Sequence, residues 1–236
     1  MKKWKISSLK IENFKPFENT SIDFRTASMI TLDGPNGFGK TSIFDALELL
    51  FTGVIQRIIN TNEATVAKRS RKKQFEENIY WNRKKEGDIA IRAELINQDS
   101  GESIFLARVA SVADLLNPDN NAPDNFSIFK LYEINSIDSN RFGEDLDSKA
   151  LEDILGENFL KNFSLLNYLE QGQNRYLYST DATERKRGIE HLINTDKLTG
   201  QISYCAELEK ILTLSYTGKE HTDLQAELLE KVKQFS

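Results

Sequence analysis

The stretch that most constrains this chain is residues 28–52, SMITLDGPNGFGKTSIFDALELLFT. Gly34, Gly39, Lys40 and Thr41 satisfy the spacing G-x-x-x-x-G-K-[ST]. Glycines let backbone N–H groups curl around phosphate oxygens without Cβ clashes. A helix that starts at the loop adds free N–H groups and a partial positive charge. In that arrangement Lys40 reaches the β- and γ-phosphates of a nucleotide, and the Thr41 hydroxyl holds Mg²⁺. The bare pattern arises by chance in about 1 in 100 chains of this length, so its flanks decide. Residues 29–32 read as a buried strand before the loop. Ile43, Ala46, Leu47 and Leu50 form a helical stripe after it, and Gly53 suits a left-handed stop. Strand, loop and helix together point to a P-loop site in an α/β fold.

At 236 residues and 39% hydrophobic, the chain can bury a real core in one or two domains. A formal net charge of −5 excludes a uniformly basic nucleic-acid coat but leaves room for a local basic patch. Cys205 is the single cysteine. It rules out an internal disulfide framework and any Cys-x-x-Cys zinc site, and it reads as a small apolar helix residue. No apolar run approaches the ~18 residues a membrane span needs. The opening MKKWKISS has basic residues but no apolar core of a signal peptide. The expectation is a cytoplasmic protein with no membrane partner.

Taken in order, Trp4, Ile6, Leu9 and Ile11 predict an opening strand with a phase shift near Ser7 and Ser8. Residues 13–17 break it, and Ile22 and Phe24 predict a short return strand. Two strands before the loop differ from Ras-like GTPases and many kinases, and no N-K-x-D guanine-reading motif occurs. Between 54 and 86 lie Lys68, Arg69, Arg71, Lys72 and Lys73, then Arg83, Lys84 and Lys85, with Phe75, Tyr80 and Trp81 between them. Cations for phosphates and aromatics for stacking suit a nucleic-acid surface. Neighbouring Glu63, Glu76, Glu77 and Glu86 suit a solvated helix face equally well. Residues 89–95 and 104–109 alternate as a hairpin around turn residues 97–101, and 126–134 predict a third strand. Leu151, Ile154 and Leu155 predict a short helix capped by Asp147 or Ser148. Residues 163–169 read as a buried strand running into Glu170, Gln171, Gly172 and Gln173. A long helix follows the Asp181-x-x-Glu184 box. Its Leu198, Ile202, Cys205, Leu208 and Leu212 suit a coiled-coil seam.

Several of these features occur together in one family. They are Asn13-Phe14-Lys15 at the end of the first strand, the loop from Gly34 to Ser42, and Asp45-Ala46-Leu47 in its helix. Gln171-Gly172-Gln173, Glu184-Arg185 and residues 191–198 before the seam complete the set. Over roughly residues 1–212 the chain resembles the N-terminal half of the ABC-type ATPase head of the SMC, SbcC and RecN group. The resemblance implies an α/β P-loop head lobe over 1–180, with an antiparallel β arm to one side. It implies helices leading into a coiled coil over 181–236.

The resemblance also implies roles. Gly34, Asn36, Gly37 and Gly39 shape the loop, Lys40 and Ser42 bind phosphates, and Thr41 ligates Mg²⁺. Gln171 matches the glutamine that joins the Mg²⁺ shell and senses the γ-phosphate and attacking water, with Gln173 as the competing choice. Lys15 matches a basic position near the nucleotide. The family's signature motif, Walker B acidic pair and switch histidine do not occur here, and His191 and His221 stand in the wrong context. In the family those parts follow a long coiled coil, so the expectation is an N-terminal piece, incomplete as an ATPase alone. The implied function is ATP-driven homodimerisation of heads on double-stranded DNA, with a nuclease or other effector subunit. The setting is break repair, chromosome organisation or a Lamassu-type bacterial defence system. Two other readings stay open: an ATP-switched assembly subunit that recruits a partner, and an unrelated P-loop kinase.

Overall fold

The structure, a computed structural model, describes residues 4–25, 27, 29–61, 75–82, 84, 86–156, 159–163, 182–183, 186, 196–215 and 229–230. The chain forms two compact units, Met1–Tyr168 and Leu169–Ser236. The first is a five-stranded antiparallel sheet with helices packed on one face. Its strands are β1 (Trp4–Phe14), β2 (Phe17–Asp23), β3 (Ile89–Asn97), β4 (Ser103–Ala110) and β5 (Lys130–Ile134). Their order is β2-β1-β3-β4-β5.

The opening strand carries the predicted phase shift. Its pairing with β3 slips between Ile6 and Ser8, which restores Leu9 and Ile11 to the core face. The hairpin β3–β4 closes where Asn97 and Gly101 stand, with Gly101 N–H donating to the Asn97 carbonyl at 2.8 Å. The sheet corrects one expectation. The antiparallel meander is not an arm to one side, because β3 pairs along β1 from Trp4↔Asn97 to Glu12↔Ala90. The reason lies in burial. Almost every β3 residue is buried on both faces, as a central strand must be. A second correction shortens the third meander strand. Phe126 and Phe129 form a turn packed on Tyr80, and pairing begins only at Lys130.

Helix α1 (Lys40–Thr52) packs across β3 and β4 through Ala46, Leu49 and Leu50. It stops at Gly53, whose φ of 76° is left-handed and whose N–H returns to the Leu49 carbonyl at 2.9 Å. The neighbouring orphan carbonyl, Leu50, is taken by Arg108 of β4. Nε and Nη2 of Arg108 donate to it at 3.3 and 3.0 Å, and Nη1 donates to the Phe129 carbonyl at 3.3 Å. Burial pulls this guanidinium down to about 10, which leaves it charged at neutral pH beside the negative end of α1.

Beyond the sheet, α2 (Val112–Leu116) is capped by the Ser111 hydroxyl and α3 (Ser148–Leu155) by the Asp147 carboxylate, as the sequence predicts for the latter. Then comes α4 (Phe159–Asn162). Phe163 continues this helical turn and packs on Phe51 at 5.1 Å, so the strand expected from 163 does not begin there. The rest of that span, 164–169, lies outside the described residues.

The strand expected over 29–32 is also absent. These residues join no ladder, and Met29 and Ile30 are 84% and 43% exposed. A buried strand needs a neighbour, and both edges of β1 are already taken by β2 and β3. In the second unit, α5 (Asp196–Ser215) runs for 20 residues, and Leu198, Ile202, Cys205, Leu208 and Leu212 are exposed on it. No helix among the described residues is long and apolar enough to cross a membrane.

Arg108→Leu should destabilise the first unit by about 2–3 kcal/mol, because a charged donor is lost and two buried carbonyls are orphaned. Urea denaturation at unchanged m-value measures it. An unchanged midpoint would show that the guanidinium does not support the α1 terminus.

Candidate functional site

The site is built where the loop between the strandless segment and α1 meets the β1–β2 turn. Gly34, Gly37 and Gly39 all have positive φ, at 147°, 89° and 89°. Gly39 is the residue before α1, and no side chain caps the helix there. The first-turn N–H groups of α1 are therefore presented without a side-chain acceptor, as an anion site requires. Gly39 is fixed by a second demand. A Cβ there would stand 2.7 Å from the Phe17 ring and 2.8 Å from the Pro16 ring. Gly37 has the same φ but open space around it.

The β1–β2 turn is held from beneath. Lys15 has a left-handed φ of 52°. Its N–H donates to the Tyr80 carbonyl at 2.7 Å, and its carbonyl accepts from Asn82 Nδ2 at 2.8 Å. Asn82 N–H donates in turn to the Asn13 carbonyl at 2.9 Å, and Trp81 bridges Phe14. Segment 78–82 thus acts as a floor for the turn, and the turn as a seat for the loop.

Between them opens a cavity of about 710 Å³. Lys15, Asn36, Gly37, Gly39, Lys40, Thr41 and Ser42 all line it, together with Pro16, Ile79, Trp81, Asn82 and Lys84. Gly34 does not line it but accepts a hydrogen bond from Lys40 Nζ, which also donates to the Pro35 carbonyl at 2.9 Å. Lys40 so bridges the two ends of the loop, and loop carbonyls are weak competitors for an ammonium compared with phosphate. The donor set fits a nucleotide polyphosphate and a magnesium ion: bare helix amides, one lysine ammonium, and the Thr41 and Ser42 hydroxyls.

Lys15 is tied elsewhere. Its Nζ donates to Asp45 Oδ2 at 2.5 Å and lies 5.4 and 5.6 Å from the ring centres of Phe14 and Tyr80. Burial pulls its ammonium below the usual lysine value, against the raising influence of the Asp45 carboxylate. Asp45 also accepts from Arg57, through Oδ1 from Nε at 2.7 Å and through Oδ2 from Nη2. One turn further along α1, Glu48 accepts from the Gln56 N–H at 3.1 Å.

Of the predicted basic segment, Lys84 is described. It pairs with Glu18 and stands at the cavity rim. Lys68, Arg69, Arg71, Lys72, Lys73, Arg83 and Lys85 lie outside the described residues, as do Gln171 and Gln173. Sequence reasoning missed Pro16, Phe17, Asp45, Arg57, Ile79 and Asn82. Asp45 left a readable signal. It stands four residues before the buried Leu49, in phase with the core face, where a carboxylate demands a cation.

Gly39→Ala should destabilise the protein more than Gly37→Ala. Both lose about 1–2 kcal/mol to positive φ, but only position 39 also meets Phe17 and Pro16. Equal losses in denaturation would remove the turn as the seat of the loop. In comparisons with known proteins, no curated protein matches the chain. The AAA domain family matches it over residues 8–235. A match across nearly the whole chain, on a loop that cradles an uncapped helix end, means that the chain belongs to the AAA domain family of P-loop ATPases.

Proposed function

We propose that this chain is the ATP-binding lobe of an SMC-like ATPase head, which dimerises on ATP and acts on DNA. The observation that carries the nucleotide part is the cavity over the uncapped start of α1, lined by Lys40, Thr41, Ser42 and Lys15. Lys40 and Ser42 hold the phosphates, and Thr41 holds Mg²⁺. A magnesium ion held there would supply neutralisation of phosphate charge. This chain's own residues bind and orient: amides of residues 37–42 fix the phosphate oxygens, and Lys40 exchanges loop carbonyls for phosphate. Gln171 is proposed to complete the Mg²⁺ shell and sense the γ-phosphate, with Gln173 as the alternative. The reaction depends on positioning and charge neutralisation.

Two further observations support the SMC-like part. Met29 and Ile30 form an exposed apolar segment just before the loop, which suits completion by strands from a second segment that also brings the Walker B pair and the signature motif. Along α5, the apolar positions 198, 202, 205, 208 and 212 stand exposed on one long helix, which suits pairing in a coiled coil. A nucleotide kinase needs no such helix. The same exposed stripe also serves the second reading, an ATP-switched subunit that recruits an effector without acting on DNA. We place the protein in the cytoplasm, in defence against foreign DNA or in double-strand break repair.

Lys40→Ala should abolish ATP binding, measured by calorimetry. In a complete head, ATP turnover should rise with double-stranded DNA and vanish in Lys40→Ala. Retained affinity in the variant would refute the loop assignment, and turnover indifferent to DNA would favour the recruiting subunit. Reversing the charges of Arg69, Arg71 and Lys72 should weaken DNA binding and flatten its salt dependence. The log–log slope should fall by about 0.9 for each phosphate no longer neutralised. An unchanged slope would assign the segment to a solvated surface.

A further inference from the structure

Asp45 is fully buried, and two cations from different elements share its carboxylate. Lys15 comes from the β1–β2 turn. Arg57 comes from the helical segment 56–61 and engages both oxygens. The two cations differ in what else they can reach. Lys15 lines the phosphate-loop cavity with Lys40, whereas Arg57 is not among its lining residues. They also differ in freedom. The backbone of Lys15 is hydrogen-bonded at both its N–H and its carbonyl, so its ammonium moves only by rotation of the side chain about a fixed origin.

We propose that Asp45 is a positioning residue that latches the Lys15 ammonium and yields it to the phosphates of a nucleoside triphosphate when one binds. This inference rests on the nucleotide reading above. Arg57 is what makes the exchange possible. A buried carboxylate stripped of its only cation is costly, but Asp45 keeps a two-point partner when Lys15 leaves. The polyphosphate offers Lys15 several negative charges in place of half of one carboxylate. Binding must therefore break the Lys15–Asp45 pair, and by linkage any change that loosens the pair tightens the nucleotide.

The test is a set of variants in the full chain, with Mg²⁺–ATP as probe in calorimetry and adenosine as the phosphate-free control. Asp45→Asn should bind ATP about five- to tenfold more tightly, bind adenosine unchanged, and unfold at a lower temperature. A residue that only supports the fold would lose affinity along with stability. Arg57→Met provides the opposite arm on a half-exposed side chain, so the result does not depend on Asp45→Asn folding. With Asp45 left to Lys15 alone, ATP affinity should fall several-fold. Both effects should disappear in a Lys15→Met background. Wild-type affinity in Arg57→Met, or equal or weaker ATP binding by a folded Asp45→Asn, overturns the latch while leaving the nucleotide site standing. Absence of ATP binding by the wild type overturns both.

Discussion

The phosphate loop rests on a turn whose backbone is closed from below. Tyr80 and Asn82 satisfy the N–H and carbonyl of Lys15, and this holds a non-glycine residue in a left-handed conformation. That conformation costs about 1–3 kcal/mol unless its surroundings over-determine it. Here they do, and the turn then projects Pro16 and Phe17 against Gly39. The shape of the cradle is thus set by side chains well before the loop in sequence and by a floor well after it. The glycine pattern makes the curl possible, and the turn decides where it sits.

Electrostatics along α1 follow the same logic. Its positive end carries no side-chain cap and faces the cavity, while its negative end is answered by the buried Arg108. Between them Asp45 and Glu48 look inward and fasten the segment around 56 and 57. A helix with its C-terminal end and one flank committed in this way has little freedom to shift. Charge brought to its N-terminus is met by fixed dipoles that need no reorganisation.

Much of this is legible in the sequence, for local reasons. The slip near Ser7 and Ser8 breaks an alternation that can be counted along the chain. Gly53 and Asp147 mark helix ends by chemistry that acts within four residues. The strand expected at 29–32 fails because an apolar run says only that a segment would gain from burial, and the partner must come from elsewhere in the molecule. The meander is antiparallel as expected but lies in a different place, since alternation along β3 does not say which strand lies beside it. The parts played by Arg57 and Asn82 escape a sequence reading for the same cause. Their roles exist only after chain segments 12 to 67 residues apart have met.

The pairing of β1 with β3 has a consequence for the order of events during synthesis. Trp4 meets Asn97 and Glu12 meets Ala90, so the first strand waits for about ninety residues before its central neighbour exists. Contacts of such sequence separation close late, and the chain leaves the ribosome from its N-terminus at about 5–20 residues per second. The glycine loop and α1 therefore emerge seconds before the floor that shapes them. Early in translation the hairpin β1–β2 carries an unpaired inner edge, and the nucleotide cradle is a late product of folding.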